Sequence, residues 1–181
     1  MLSALLFLIF SAASVSADSS VPKVLPADWR VLNESADIQR GLQAHYQHAE
    51  SVGRVPYVYI YSDRNRHCRA VRAMMHRSDL QSAFSDVSVV MVDYYHWRDQ
   101  YPASTAAYAA EFTPSLIRIA ANGSVFGEVY SPALVLYYPE LSGDPKLSRF
   151  STNQKWSGPI PKRQFAHSLV RFFDRNHRLD P

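Results

Sequence analysis

The sequence predicts an α/β fold in which a central mixed sheet is flanked by helices. Residues 55–61 and 87–93 are short, nearly continuous apolar runs, which is the pattern of strands buried on both faces. A helical pattern lies between them, and two such strands joined by a helix form a right-handed parallel βαβ unit. Asn122-Gly123 then predicts a hairpin that joins residues 116–120 to 125–130 and adds antiparallel pairing.

The N-terminal segment predicts a secreted protein, and the net charge bears on its partners. Residues 1–17 combine a short apolar stretch with small residues at Val15-Ser16-Ala17, which is typical of a secretory signal peptide. The stretch is shorter than a membrane-spanning helix, so we expect a periplasmic or extracellular protein with no membrane span in the mature chain. The net charge is only +3 and no dense basic stripe is present, so we expect no nucleic-acid partner.

Capping residues and periodicity predict the helices of the first half of the chain. Residues 18–34 are expected to form an irregular lead-in, after which Ser35 caps a helix over residues 36–51. Ser62, Asp63 and Asn65 are turn and cap residues that follow the strand at 55–61. They start a helix that runs to about residue 76, and a short helical piece follows at 79–84.

The second half contains a long connection between the hairpin and the last helix. Residues 102–110 are Ala-rich and predicted helical, and residues 161–177 form an amphipathic helix with Pro near its start. Between hairpin and helix, residues 131–159 are expected to be an extended insertion in a single domain spanning residues 35–178. Within the insertion, residues 134–138 are expected to be strand-like.

Cys68 is the only cysteine in the sequence. It lies in the first turn of the helix after residues 55–61, where backbone N–H groups, the helix dipole and neighbouring arginines favour a thiolate. A single cysteine excludes a disulfide within the chain. Three alternatives remain open: a buried inert thiol, a reactive thiol, and a disulfide to another chain.

The segment from residue 42 to Cys68 resembles secreted members of the thioredoxin-like family. In that family a helix and a Gly-Lys/Arg-x-Pro entry precede the active strand, which here corresponds to Gly53-Arg54-Val55-Pro56. Cys-x-x-Cys follows, often with His before the second Cys, and the same window here reads Asn65-Arg66-His67-Cys68. The resemblance therefore implies that Asn65 replaces the nucleophile. It also implies that Tyr59 replaces a buried acidic residue of the family, so dithiol cycling is lost.

Thr113-Pro114, directly before a predicted strand, matches a second signature of the family. In thioredoxin-like folds this proline has a cis peptide bond and faces the cysteine helix. The resemblance implies a backbone edge at Thr113 with which an extended peptide can pair. The alternative is an ordinary trans proline at the start of a strand.

Aromatic residues follow the strand at 87–93, in the run Asp93-Tyr94-Tyr95-His96-Trp97. Ligands of open α/β sheets bind near the carboxyl ends of strands, so Tyr94 and Trp97 are candidates for a peptide-binding surface, with plain packing as the equal alternative. His45 and His48 lack further residues at ligand spacing, so we expect no metal site, and no motif indicates a cofactor.

Three functions follow from these observations. The first, which we favour, is a module that binds an extended polypeptide or docks on a protein partner through a groove lined by Asn65, Arg66, Thr113 and Pro114. The second is a thiol–disulfide exchange enzyme in which Cys68 is the nucleophile and His67 a proton donor. The third is a covalent dimer linked through Cys68.

Overall fold

The computed structural model describes residues 29–33, 37–75, 77–100, 113–138 and 162–179. In these ranges five strands form a mixed sheet in the order β1-β3-β2-β4-β5. Strands β1 and β2 run parallel to β3, β4 is antiparallel to β2, and β5 is antiparallel to β4. The strands are β1 (Trp29–Val31), β2 (Val55–Tyr61), β3 (Val87–Asp93), β4 (Ser115–Ile119) and β5 (Val125–Tyr130).

The described helices lie before, between and after these strands. They are α1 (Ile38–Ser51), α2 (Arg66–Met74), α3 (Ser78–Ala83), α4 (Tyr94–Gln100), α5 (Pro132–Tyr137) and α6 (Lys162–Asn176). Within the described ranges, no helix has the length and apolar character needed to cross a membrane. The predicted signal peptide, the predicted helix at 102–110 and residues 139–159 of the insertion lie outside the described residues.

Both faces of the sheet are covered by apolar side chains. Alternate residues of β2 and β3 point to opposite faces, so Tyr57 and Tyr59 pack with α2, α3 and α6, whereas Val58 and Ile60 pack with α1 and α4. This double coverage explains why both strands are continuous apolar runs. The α/β class, the mixed sheet and the bounds of β2 and β3 are confirmed.

Several predicted elements were wrong. Residues 18–34 are not irregular throughout, because β1 pairs with β3 inside that range. Helix α1 begins at Ile38 rather than residue 36, since Asp37 is its cap and accepts a hydrogen bond from the Arg40 N–H at 2.9 Å. The expected strand at 134–138 is the helix α5, for which Ser131 is the cap. Helix α4, which follows β3 directly, was not predicted.

The hairpin and the last helix are joined by polar contacts of Asn176, a fully buried residue at the end of α6. Its side-chain oxygen accepts a hydrogen bond from the Glu128 N–H at 3.0 Å, and its amide group donates to the Phe172 carbonyl. Arg118 of β4 donates to the Asn176 carbonyl at 2.6 Å. These contacts fix α6 across the sheet next to β5.

Candidate functional site

Asn65 is the residue from which the candidate site is built. Its backbone is extended, and its side-chain oxygen accepts hydrogen bonds from the N–H groups of His67 at 2.8 Å and Cys68 at 3.4 Å. These are N–H groups of the first turn of α2, which have no partner within the helix. Asn65 is therefore the N-cap of α2, as the turn and cap residues of the sequence predicted.

The same carboxamide joins α2 to the loop before β4. The Asn65 side-chain amide donates a hydrogen bond to the Thr113 carbonyl at 3.2 Å. The next peptide bond, Thr113–Pro114, is cis, and Pro114 is buried. The structure thus brings Asn65 and the Thr113–Pro114 segment together, although they are 48 residues apart in the chain.

Cys68 lies beneath this surface. Its side chain is 1 % exposed, and its sulfur accepts a hydrogen bond from the Ser62 N–H at 3.4 Å. Burial raises the pKa of the thiol to about 11, although the Ser62 N–H and Arg72 act in the opposite direction. The thiolate that the arginines and the helix dipole were expected to favour is therefore disfavoured, because desolvation is the largest effect.

His67 is partly covered by the first helix of the insertion. The rings of His67 and Tyr137 have their centroids 4.8 Å apart. Burial and the neighbouring Arg66 guanidinium hold the pKa of His67 below its ordinary value of 6.5, so the imidazole is neutral at neutral pH. The contact with Tyr137 was not foreseen, since residues 134–138 were expected to form a strand.

Tyr59 is the residue that the resemblance aligns with a buried acid of the family. Its side chain is buried in the core against the Trp29 ring, with the two ring centroids 5.4 Å apart. Burial holds the pKa of the phenol well above its usual value, and the charge of a Cys68 thiolate would raise it further. Tyr59 is therefore not a proton acceptor for the thiol.

The aromatic run after β3 divides between core and surface. Trp97 is fully buried against α1 and the sheet, so of the two alternatives for this residue the structure supports packing and contradicts a place on a binding surface. Tyr94 is half-buried and packs on the same cluster. Tyr95 is exposed, and the guanidinium carbons of Arg64 and Arg98 lie 5.2 Å and 5.3 Å from its ring centroid.

The remaining predicted residue, Arg66, is exposed beside Asn65 at the start of α2. The stacking of Arg64 on Tyr95 was not predicted from the sequence. Among the described residues, no group of three His, Cys, Asp or Glu side chains is arranged to hold a metal ion.

No protein-family model matches the chain, and no curated protein sequence matches it. Among solved structures, the chain is similar to a disulphide isomerase from Xylella fastidiosa Temecula1. The two chains are 10 % identical, with a TM-score of 0.41 over 86 % of this chain and 99 % of that chain. At this level of similarity, nothing about activity transfers.

The topology itself identifies the architecture. The strand order β1-β3-β2-β4-β5 places the parallel strands β1, β3 and β2 beside the antiparallel pair β4 and β5. Helices cover both faces of the sheet. Helix α2 follows the central strand β2 and carries Cys68 in its first turn, and Thr113-Pro114 directly precedes β4. The described residues therefore have a thioredoxin-like fold, and α2 starts in the window Asn65-Arg66-His67-Cys68, which the resemblance aligns with Cys-x-x-Cys.

Proposed function

We propose that this protein is a secreted polypeptide-binding or partner-docking module that has lost dithiol redox cycling. The observation that carries the proposal is the position of the Asn65 carboxamide, which caps α2 and contacts the Thr113 carbonyl. Thiol–disulfide exchange begins with attack by a thiolate on a disulfide sulfur, which a carboxamide cannot perform. The remaining thiol, Cys68, is buried.

The proposed binding surface is the backbone at Thr113. Pairing of β4 with β2 begins at Ser115, opposite Ile60, so Thr113 lies two residues before the paired part of β4. The Thr113 carbonyl accepts a hydrogen bond from the Asn65 side-chain amide at 3.2 Å, which fixes this backbone beside α2. An extended peptide that adds to this backbone edge would bind largely through main-chain hydrogen bonds.

The rival enzyme hypothesis, single-cysteine exchange by Cys68 with His67 as proton donor, fits the geometry less well. Exchange requires access to the sulfur and a substantial thiolate fraction. The side chain of Cys68 is buried and its pKa is raised to about 11, and both oppose nucleophilic attack.

A covalent dimer through Cys68 would likewise require the buried sulfur to reach a second chain. Non-reducing gel electrophoresis tests this alternative, since a disulfide-linked dimer migrates at twice the monomer mass and disappears in Cys68→Ser.

Binding is tested by NMR titration of the isotope-labelled protein with unstructured peptides of about ten residues. We expect saturable shifts of the amide signals of Arg66, His67 and Thr113, which surround the proposed groove. The exposed residues Gln43 and Gln47 of α1 serve as internal controls whose signals stay unchanged. Shifts confined to other surfaces, or no shifts with any peptide, would overturn the proposal.

A further inference from the structure

Arginines without a carboxylate partner surround Asn65. Arg64, Arg66 and Arg69 come from the loop and the first turn of α2, and all three are exposed. Within the described part of the chain, none of them forms an ion pair. By contrast, Arg72 pairs with Asp63 and Arg98 pairs with Asp99. The first turn of α2 contains no acidic residue.

The aspartates of this face are already engaged. Asp63 pairs with Arg72, and Asp99 accepts a hydrogen bond from Arg98 at 3.1 Å. Asp93 accepts one from the Tyr95 N–H at 2.8 Å at the start of α4. Asp93 keeps its charge, because its partner is a backbone N–H, but among the described residues the three unpaired guanidinium groups beside Asn65 outnumber it and make this face positive.

Arg64 is held in a conformation suited to binding a carboxylate. Its guanidinium lies over the ring of Tyr95, which the Arg98 guanidinium also contacts. Stacking on an aromatic ring uses the face of the guanidinium and leaves the N–H groups at its edge available. No side-chain N–H of Arg64 donates to another described residue. A guanidinium positioned in this way loses less conformational entropy when it binds a carboxylate in bidentate fashion.

From this arrangement we propose that the partner of the groove is an acidic polypeptide segment, whose Asp or Glu side chains bind Arg64 and Arg66 on the two sides of Asn65. This inference rests on the proposed function, because it names the chemistry of the segment that the groove would hold. The main chain of the segment lies along Thr113. Its carboxylates form the ion pairs that Arg64 and Arg66 do not form within the described part of the chain.

The test measures the affinity of three fluorescent peptides by anisotropy. The peptides are about ten residues long and differ only at a few positions that carry Glu, Gln or Lys. Exposed ion pairs each change affinity by about twofold to fivefold, so two pairs predict that the Glu peptide binds about tenfold more tightly than the Gln peptide. The preference should shrink between about 50 mM and about 500 mM salt, because salt screens exposed charges.

Two double variants with the same change in charge provide the control. Arg64→Gln with Arg66→Gln should abolish the preference, so that this variant binds the Glu and Gln peptides with equal affinity. Arg40→Gln with Arg163→Gln removes two exposed arginines from α1 and α6 and should have no effect. Circular dichroism melts confirm that both variants are folded.

The outcomes separate this inference from the proposed function. The inference would be overturned if the three peptides bound equally, or if the preference for Glu were abolished only by Arg40→Gln with Arg163→Gln. Either result would leave the proposed peptide binding intact. Absence of binding by all three peptides would overturn both.

Discussion

At the scale of single residues, the carboxamide of Asn65 and the thiol of Cys68 decide what the site can do. Asn65 acts at once as acceptor for two N–H groups of α2 and as donor to the Thr113 carbonyl. A thiol is a weak hydrogen-bonding group and would perform both tasks poorly. The carboxamide at this position therefore strengthens the local structure.

The burial of Cys68 predicts slow reaction with thiol reagents. Raising the pKa of the thiol from 9.0 to about 11 lowers the thiolate fraction at neutral pH by about 100-fold. We expect a disulfide reagent to label the native protein at least about 100-fold more slowly than the urea-unfolded protein at the same pH. Cys68→Ser gives the background. Rapid labelling of the native protein, in particular at mildly acidic pH, would instead support the single-cysteine exchanger.

His177 predicts a loss of stability at acidic pH. Its side chain is 21 % exposed beside the Tyr57 and Phe173 rings, and burial lowers its pKa although Asp86, 3.6 Å away, opposes the shift. Below its ordinary pKa of 6.5 the unfolded chain binds a proton that the folded chain does not. The contribution of this histidine is therefore complete above that pH, and the free energy of unfolding falls as the pH drops below it.

The comparison with His177→Gln isolates this effect. Urea unfolding of both proteins between about pH 7 and about pH 5 should show the stability advantage of the wild type shrinking as the pH falls. If the stability advantage of the wild type instead increased at acidic pH, an ion pair between His177 and Asp86 would outweigh the desolvation of His177.

At the scale of elements, the Asn65 side chain is expected to stabilise both α2 and the loop before β4. Asn65→Ala removes a helix cap and the hydrogen bond to Thr113, so we expect a loss of about 1–3 kcal/mol in the free energy of unfolding. Asp37→Ala is the matched control, because Asp37 caps α1 through the Arg40 N–H. It should lose only about 1 kcal/mol. If urea unfolding gives equal losses, the contact between α2 and Thr113 contributes no stability.

Gly127 is expected to be essential for the docking of α6 on the hairpin. It has φ +82° in β5, and a Cβ there would lie 2.6 Å from the Asn176 side-chain oxygen. Gly127→Ala should therefore lose about 2–3 kcal/mol, from the left-handed backbone and from the displaced hydrogen bond to the Glu128 N–H.

Gly53→Ala provides the comparison for Gly127→Ala. Gly53 also has a positive φ, +67°, but a Cβ there would have no atom within 4 Å. The loss should be about 1 kcal/mol, from backbone conformation alone. A Gly127→Ala protein that unfolds at the same urea concentration as Gly53→Ala would contradict the packing of Asn176 against β5.

The elements that the sequence predicted well are those defined by their own residues. Strands β2 and β3 carry long apolar runs, and Asn122-Gly123 forms the turn before β5, where the Gly123 φ is +79°. By contrast, β1 has three residues and exists because it pairs with β3. Helices α4 and α5 are only seven and six residues long, and a pattern that short shows little helical period.

At the scale of the whole molecule, the fold brings the site together from distant segments. The resemblance to the thioredoxin-like family implied that Thr113-Pro114 faces the helix that Asn65 starts, and the structure shows a hydrogen bond between Asn65 and Thr113. The sequence did not distinguish Tyr95 at the surface from Trp97 in the core, because a run of aromatic residues does not reveal which side chains face the sheet. The sequence also led us to overestimate how far the arginines near Cys68 lower the pKa of the thiol. Burial raises that pKa by more, and the burial of Cys68 follows from packing that the sequence does not show.

The most direct test of the account is the reduction of insulin by dithiothreitol in the presence of the protein. We predict that the wild type accelerates the reaction no more than Cys68→Ser does, while an active thioredoxin shows that the assay responds. Robust turnover by the wild type that Cys68→Ser abolishes would contradict the claim that a thioredoxin fold with Asn65 before a buried Cys68 has lost its redox cycle.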